Sequence, residues 1–121
     1  MSMAIAHFAV GAMATALLLA LAAPRLLHSP TVLVAGGVWA MGPDVHHVLP
    51  AGSELVRSFH MTVWSNVFWF HHYLDRVDPE NSRPFAGALV VALVVVLAAC
   101  ELVARMRGTS PVLSPAGSGH E

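Results

Sequence analysis

The chain has 121 residues, of which 56% are hydrophobic and only 11% are charged. A soluble domain usually carries about twice that charged fraction, so the composition indicates a single-domain membrane protein. The basic residues are all Arg, and the formal net charge of -1 excludes the basic surface that nucleic-acid binding requires. A single cysteine, Cys100, excludes an intrachain disulfide.

The first apolar segment, residues 4–23, predicts a membrane-spanning helix, because crossing a bilayer takes ~20 residues. A cleaved signal peptide is the alternative, since the stretch A-L-A-A-P resembles a cleavage site. Signal peptides begin with positive charge, whereas this chain begins M-S-M-A-I-A-H. We therefore expect the helix to be retained.

The second apolar segment, residues 31–41, follows Ser29 and Pro30, which suit the N-cap and first position of a helix. The segment is too short to cross a hydrocarbon core of roughly 30 Å. It is expected to tilt, to enter partway, or to pack against another helix. Gly36 and Gly37 predict a close contact between helices.

The rest of the chain divides by composition. Residues 51–58 form a polar link, and residues 59–76 predict one helix whose Phe, Trp, His and Tyr are typical of the membrane interface. Breaker residues in 77–84 predict a turn. Residues 85–104 form the clearest spanning helix, and the Gly-, Ser- and Pro-rich tail 108–121 is predicted to be disordered.

Together these segments predict an all-α fold. We expect a small integral membrane helical bundle with two or three spanning helices and an interfacial, amphipathic helix rich in His. The helical domain would cover residues 1–107. Its apolar composition is compatible with a homo-oligomer packed through helices.

Histidine is the unusual residue, because eight His exceed the seven acidic residues. It is the commonest metal ligand and a frequent acid or base. His7 lies in the first turns of the first helix. It is either a polar residue at the interface or a functional group inside the membrane, and its depth distinguishes the two. His28 and His120 have no companions and are assigned no role.

The stretch M-G-P-D-V-H-H-V-L-P follows the second apolar segment and carries Asp44, His46 and His47. Imidazole and carboxylate both bind zinc, so the stretch is a candidate metal site. The alternative is a capping turn in which Asp44 accepts hydrogen bonds from backbone N–H groups.

The predicted helix 59–76 would place three such residues on one face. At ~100° per residue, His71 lies about 20° and Asp75 about 60° from His60. His71 and Asp75 are also neighbours at i,i+4, so Asp75 could bind the same metal or orient the imidazole. The alternative is an interfacial helix whose His and Trp lie at the headgroup level.

The remaining polar residues predict less. Asp78, Glu80 and Arg83 look like solvated loop residues, and Glu101 would reach water or Arg105 at i,i+4. The sequence has no G-x-S-x-G, P-loop, C-x-x-C or H-E-x-x-H motif. Serine-based hydrolysis and nucleotide binding therefore have no support in the sequence.

The order of these motifs resembles the YdjM-like, LexA-regulated family of small membrane-bound metal-dependent hydrolases. That family has G-H near the start of a first apolar helix and P-D-x-D-H after the second. Here A-H-F-A-V-G places His7 on the first motif. P-D-V-H-H places Asp44 and His47 on the second, with His46 at the position of the second Asp.

The family's third and fourth motifs are H-R-G-x-T-H-S and S-H-x-x-x-D. F-H-M-T-V-W-S-N places His60 on the third, and F-H-H-Y-L-D places His71 and Asp75 on the fourth. The chain departs from the family where Met-Thr replaces Arg-Gly and where Ser65 replaces the second His of the third motif. The intervening segment is also shorter than in the family. A divergent or inactive member is therefore compatible with the sequence.

The resemblance implies an all-α membrane-bound metal-dependent hydrolase related to zinc-dependent phospholipase C and P1 nuclease. It would be integral to the plasma membrane, with membrane lipid as a partner and a lipid or small-molecule phosphoester as substrate. A divalent ion, zinc or alternatively manganese, would lower the pKa of a bound water to ~7, and Asp44 or His46 would be the general base. The implied metal ligands are His7, Asp44, His47, His60, His71 and Asp75.

Two other interpretations stay open. The chain could be a non-enzymatic helical membrane protein, structural or partner-binding, whose His and Trp are interfacial anchors. It could also be a metal-binding or transport protein that does not hydrolyse a substrate. Converging His and Asp side chains would contradict the anchor interpretation, whereas side chains pointing outward at separate heights would contradict the hydrolase.

Overall fold

The protein is all-helical over the residues that the computed structural model describes, 4–47 and 51–108, with the side chains of His46 and Ser53 excepted. The predicted fold class is thereby confirmed. The tail predicted to be disordered lies outside the described residues from position 109 onward. The α-helices are α1 (Ala4–Ala22), α2 (Pro30–Ala40), α3 (Ser53–His60), α4 (His71–Val77) and α5 (Arg83–Met106). The connecting 3₁₀ helices are η1 (Pro24–His28), η2 (Gly42–His47) and η3 (Val63–Val67).

Two of these helices, α1 with 19 residues and α5 with 24, are long and apolar enough to cross a membrane. At ~1.5 Å per residue they extend about 28 and 36 Å, against a hydrocarbon core of roughly 30 Å. The α2 helix begins at Pro30 after the N-cap Ser29, as predicted, and has only 11 residues.

The three apolar helices pack with α1 against both α2 and α5. α1 and α5 run parallel, because Ala6 packs with Ala86 at their N-terminal ends and Ala16 packs in one cluster with Cys100 near their C-terminal ends. α2 runs antiparallel to α1. The start of α1, the end of α2 and the start of α5 therefore meet at one end of the bundle.

The contact between α1 and α2 is close because small residues face each other. A Cβ added at Gly11 would lie 2.5 Å from the Cβ of Ala40, and one at Gly36 would collide with the side chain of Thr15. The close approach predicted at Gly36 and Gly37 is confirmed. Small residues let two helix backbones pack closely, and such packing can hold helices together in a membrane, where the hydrophobic effect does not.

Residues 42–47 and 51–82 connect α2 to α5, and we call them the cap. The single helix predicted over 59–76 is wrong, because α3 ends at His60 and α4 begins at His71. Trp69 and Phe70 have positive φ angles of 51° and 62°, a left-handed conformation that breaks a helix. The predicted polar link also differs, since α3 begins within it at Ser53 after Gly52 with φ 75°.

Two predictions about charged residues have opposite outcomes. Asp78 is not a solvated loop residue, because its side chain is buried and both carboxylate oxygens accept the N–H of Ser82 at 3.0 Å. The hydroxyl of Ser82 in turn accepts the N–H of Phe85 at the start of α5. The predicted pair of Glu101 and Arg105 is confirmed, with Arg105 Nε donating to Glu101 Oε1 at 2.9 Å.

Candidate metal centre

Five ionisable side chains converge where the cap meets the bundle. They come from four elements of the fold, since α1, η2 and α3 contribute one residue each and α4 contributes two. The three histidines are buried, at 3% exposure or less, whereas the side chains of the two aspartates are 16% and 13% exposed. The five residues are His7, Asp44, His60, His71 and Asp75.

His71 is held by the end of α2. Its Nδ1 lies 2.9 Å from the carbonyl oxygen of Ala40. A carbonyl only accepts hydrogen bonds, so Nδ1 carries the proton and Nε2 of the neutral ring has a free lone pair. That lone pair points toward the carboxylates, 3.4 Å from Asp44 Oδ1. A backbone carbonyl that fixes the tautomer in this way is typical of a histidine that binds metal.

His60 has the complementary arrangement at the end of α3. Its Nε2 lies 3.1 Å from Asp75 Oδ2, and donation to that carboxylate leaves the lone pair on Nδ1. The hydroxyl of Ser65 donates to the carbonyl oxygens of His60 at 3.2 Å and of Thr62 at 2.9 Å. Ser65 therefore holds the backbone of the residue that carries this ring.

Three acceptor atoms face one another as a result, and we call His60 Nδ1, His71 Nε2 and Asp44 Oδ1 the acceptor triangle. The two nitrogens are 3.1 Å apart, and Asp44 Oδ1 lies 3.4 Å from His71 Nε2 and 3.9 Å from His60 Nδ1. With Zn–N bonds of about 2.0–2.1 Å, neighbouring ligands of a tetrahedral ion lie about 3.3 Å apart. The triangle therefore has the dimensions of three corners of a zinc site.

His7 lies beside this triangle. Its ring stacks on His71 with centroids 3.9 Å apart and planes 18° from parallel. A metal lies in the plane of each imidazole that binds it, so one ion cannot lie in both planes while the rings are stacked. The two nitrogens of His7 instead bridge the carboxylates, at 3.4 Å from Asp44 Oδ2 and 3.4 Å from Asp75 Oδ1.

The electrostatics of the cluster favour an ionised Asp44 and a protonated His71 when no metal is bound. Burial alone would raise the pKa of Asp44, but its hydrogen bond to His71 and the positive charges of the histidines outweigh burial and lower the pKa. Burial alone would lower the pKa of His71, but its hydrogen bonds with Asp44 and Ala40 and the nearby carboxylates raise it. A cation at this position, either proton or metal, is stabilised by the surrounding carboxylates.

Two residues of the predicted site are not placed in this cluster. His47 is exposed at the end of η2 and belongs to neither of the two groups of potential metal ligands found among the described residues, which are His7, Asp44, His71 and His60, His71, Asp75. The side chain of His46 lies outside the described part of the structure. The sequence did not predict the hydrogen bond between His71 and the carbonyl of Ala40, because a backbone acceptor leaves no pattern in the side chains.

A second residue missed from the sequence supports α4. Asn66 accepts the N–H of Tyr73 with its Oδ1 at 2.9 Å, and its carbonyl accepts the N–H of Phe70 at 2.9 Å. These two bonds enclose the left-handed turn that precedes His71. Asn66 lies four residues before the N-cap position, Phe70, so the preference for Asn directly before a helix does not identify it from sequence.

Comparison of the chain with family models, curated proteins and solved structures finds no match. The resemblance to the YdjM-like hydrolases therefore stays a prediction.

Proposed function

We propose that this chain is an integral protein of the plasma membrane that binds one divalent ion, preferably zinc, and uses it to hydrolyse a phosphoester. The acceptor triangle is the observation that carries the proposal. Two imidazole lone pairs and a carboxylate oxygen within 3.1–3.9 Å of one another repel unless a proton or a metal ion lies between them. Nitrogen with carboxylate oxygen is the ligand set of zinc, and manganese is the alternative.

In this proposal His60 Nδ1, His71 Nε2 and Asp44 Oδ1 are the ligands. The other ring nitrogen of His71 is bonded to Ala40, and that of His60 faces Asp75, so each ring serves a single ion. Asp75 then orients His60, as carboxylates behind zinc-bound histidines commonly do. One ion per chain follows from this arrangement.

Three protein ligands leave a fourth position for water, which is the arrangement of catalytic zinc sites. A bound ion of this kind supplies hydroxide near neutral pH. Asp44 Oδ2, on the side away from the triangle, is the proposed proton acceptor, and His7 stands 3.4 Å from it. The partly exposed carboxylates form the accessible side of the cluster, where a phosphoester such as a lipid headgroup would approach.

A second candidate function is a metal site that stabilises the fold without catalysis. It is favoured by the burial of the histidines and by a second carboxylate, Asp75, close enough to complete the coordination. Structural zinc sites are closed in this way, whereas catalytic sites keep an open position. The anchor interpretation is disfavoured, because interfacial anchors point outward and these histidines are buried against one another.

Metal content tests the proposal first. The protein is purified in detergent without chelator, and bound metals are measured by mass spectrometry in the parent, in Asp44→Ala and in His71→Ala. His47→Ala is the matched control, because His47 is an exposed histidine of the same segment. We expect close to one zinc per chain in the parent and the control, and loss of zinc in the other two variants.

A screen with lipid and soluble phosphoesters then separates the two candidates. Hydrolysis that disappears in His71→Ala and persists in His47→Ala supports the hydrolase. Bound zinc without hydrolysis of any ester favours the structural site. Absence of metal after incubation with zinc and manganese would overturn both.

A further inference from the structure

The cap carries several large apolar side chains that the bundle does not cover. These side chains come from α3, η3, α4 and the turns between them, and all are exposed. Trp64 is 75% and Leu55 is 79% exposed. We call this set of exposed side chains the apolar rim; its members are Leu55, Met61, Val63, Trp64, Val67 and Tyr73.

The position of the rim along the bundle is set by α1 and α5. Both helices begin at the cap, where Leu74 of α4 packs against Ala6 and Ala86. If α1 and α5 cross a bilayer, one boundary of that bilayer passes through the cap. The rim would then lie at the height of the lipid headgroups on this side of the membrane.

The rim also contacts the end of α2. Trp39 is exposed at the end of α2, and its Nε1 donates to the carbonyl of Val67 at 3.3 Å. Its ring stacks on Phe68 of the cap at 4.6 Å. These contacts fix η3 against the end of α2, so Val67 of the rim lies beside the exposed Trp39.

The composition of the rim suits the headgroup region better than water or a hydrocarbon core. Trp and Tyr have an apolar body and a polar tip, and they concentrate where a bilayer meets water. In α3, Leu55 and Phe59 are exposed neighbours at i,i+4, whereas Arg57 lies between them in sequence and projects from another side of the helix. An amphipathic helix with a basic residue on its polar face is typical of a segment that lies in the interface.

We propose that the apolar rim is immersed in the headgroup region of the bilayer that α1 and α5 cross, with phospholipid as its partner. A phospholipid interface fits the apolar side chains of the rim, the cap arginines Arg57 and Arg76, and Arg83 at the start of α5. The proposal goes beyond the metal site and does not depend on it, since it concerns only how the cap contacts lipid.

Quenching of tryptophan fluorescence by brominated phosphatidylcholine tests the proposal. The full chain is reconstituted in nanodiscs whose lipids carry bromine either high or low on the acyl chain. The parent has three Trp, of which Trp64 belongs to the rim and Trp69 is half-buried in the same segment. Trp64→Phe is compared with the matched control Trp69→Phe, and Met61→Trp is then added to Trp64→Phe to return a tryptophan to the rim.

Immersion predicts that Trp64→Phe loses a component quenched more strongly by the shallow bromines than by the deep ones. Trp69→Phe should lose less of it, and the added Met61→Trp should restore it. If Trp64→Phe leaves lipid quenching unchanged while iodide in the buffer quenches Trp64, the rim faces water and the proposal is overturned. If Trp64 is shielded from both quenchers, a protein or a second copy covers the rim, and the proposal is equally overturned.

Discussion

His60 Nδ1 and His71 Nε2 lie 3.1 Å apart in a buried cluster, with their ring planes 77° from parallel. The other nitrogen of each ring faces an acceptor, the carbonyl of Ala40 for His71 and the carboxylate of Asp75 for His60. The two lone pairs are therefore directed at the same point. Without metal, one ring must carry a proton on its facing nitrogen for the two to share a hydrogen bond, and a metal ion that replaces this proton would satisfy both rings at once.

Substitutions of Asp75 distinguish an orienting carboxylate from a ligand. Loss of a carboxylate behind a metal-bound histidine usually weakens metal affinity about 10- to 100-fold. We expect Asp75→Asn, which keeps an acceptor for His60 Nε2, to lie near the lower limit, and Asp75→Ala near the upper. Zinc affinity is measured by competition with a chromogenic chelator. Complete loss of zinc in Asp75→Asn, as expected for Asp44→Asn, would instead make Asp75 a direct ligand.

Packing between α1 and α2 is tested at Gly36. A Cβ at this position would collide with Thr15, and neither neighbouring backbone can withdraw easily. Overpacking of this kind typically costs about 1–3 kcal/mol, so Gly36→Ala should lower the free energy of unfolding in detergent by that amount. Gly87→Ala in α5 is the control, because a Cβ there has no atom within 4 Å. A helical Gly replaced by Ala without collision should gain about 0.5–1 kcal/mol. Equal stability of the two variants would contradict the packing.

The helical architecture could be predicted from composition, because long apolar runs have few alternatives to helix. The residues 4–23 and 85–104 correspond to α1 and α5 within a few positions. The prediction of one helix over 59–76 was wrong, because the break in this segment does not follow from residue type. The aromatic and apolar residues predicted a continuous helix. Trp69 and Phe70 nevertheless adopt left-handed backbone conformations, which aromatic residues rarely do and which the sequence pattern does not indicate. Tertiary contacts such as the stacking of Phe68 on Trp39 decide this segment.

The cluster was only partly predictable for a related reason. Asp44, His60, His71 and Asp75 could be proposed from residue type, and the i,i+4 pair of His71 and Asp75 needed only one turn of helix. The proximity of His60 and His71 was expected from one helical face, whereas the structure brings together the end of α3 and the start of α4. Adjacent histidines could not be ranked from sequence, because only the orientation of η2 places His47 outward.

The pH dependence of the free energy of unfolding should reverse when metal is bound. In metal-free protein the raised pKa of His71 gives stability that is present below its ordinary value of 6.5 and is lost as pH rises through the raised pKa. The lowered pKa of Asp44 gives stability that is present above 3.8 and is lost as pH falls through the lowered pKa. In excess chelator we therefore expect the free energy of unfolding to be greatest between 3.8 and 6.5, and to fall on the alkaline side.

Zinc must displace the proton from His71, so zinc affinity should increase over the same alkaline range in which the metal-free protein loses stability. Denaturant titrations with chelator and with zinc, repeated below and above neutral pH, measure both trends. His71→Gln should abolish the alkaline loss in chelator. A parent protein whose stability in chelator rises with pH across this range would contradict the proposed protonation of His71.

Asn66 offers a test of how the cap positions His71. Its Oδ1 accepts the N–H of Tyr73 in the first turn of α4. Removing a side-chain acceptor from the first turn of a helix usually costs about 1 kcal/mol. Asn66→Ala should lower the free energy of unfolding by this amount. It should also weaken zinc binding, because His71 is the first residue of the helix that Asn66 holds in place. Asn66→Asp is the matched variant, since its carboxylate keeps an acceptor at the same place and should retain both stability and zinc affinity. The decisive comparison is between the two variants in the same chelator competition. If both variants bind zinc as the parent does while only Asn66→Ala is destabilised, Asn66 stabilises α4 without positioning His71. The contact of His71 with Ala40 is then sufficient to hold the ring.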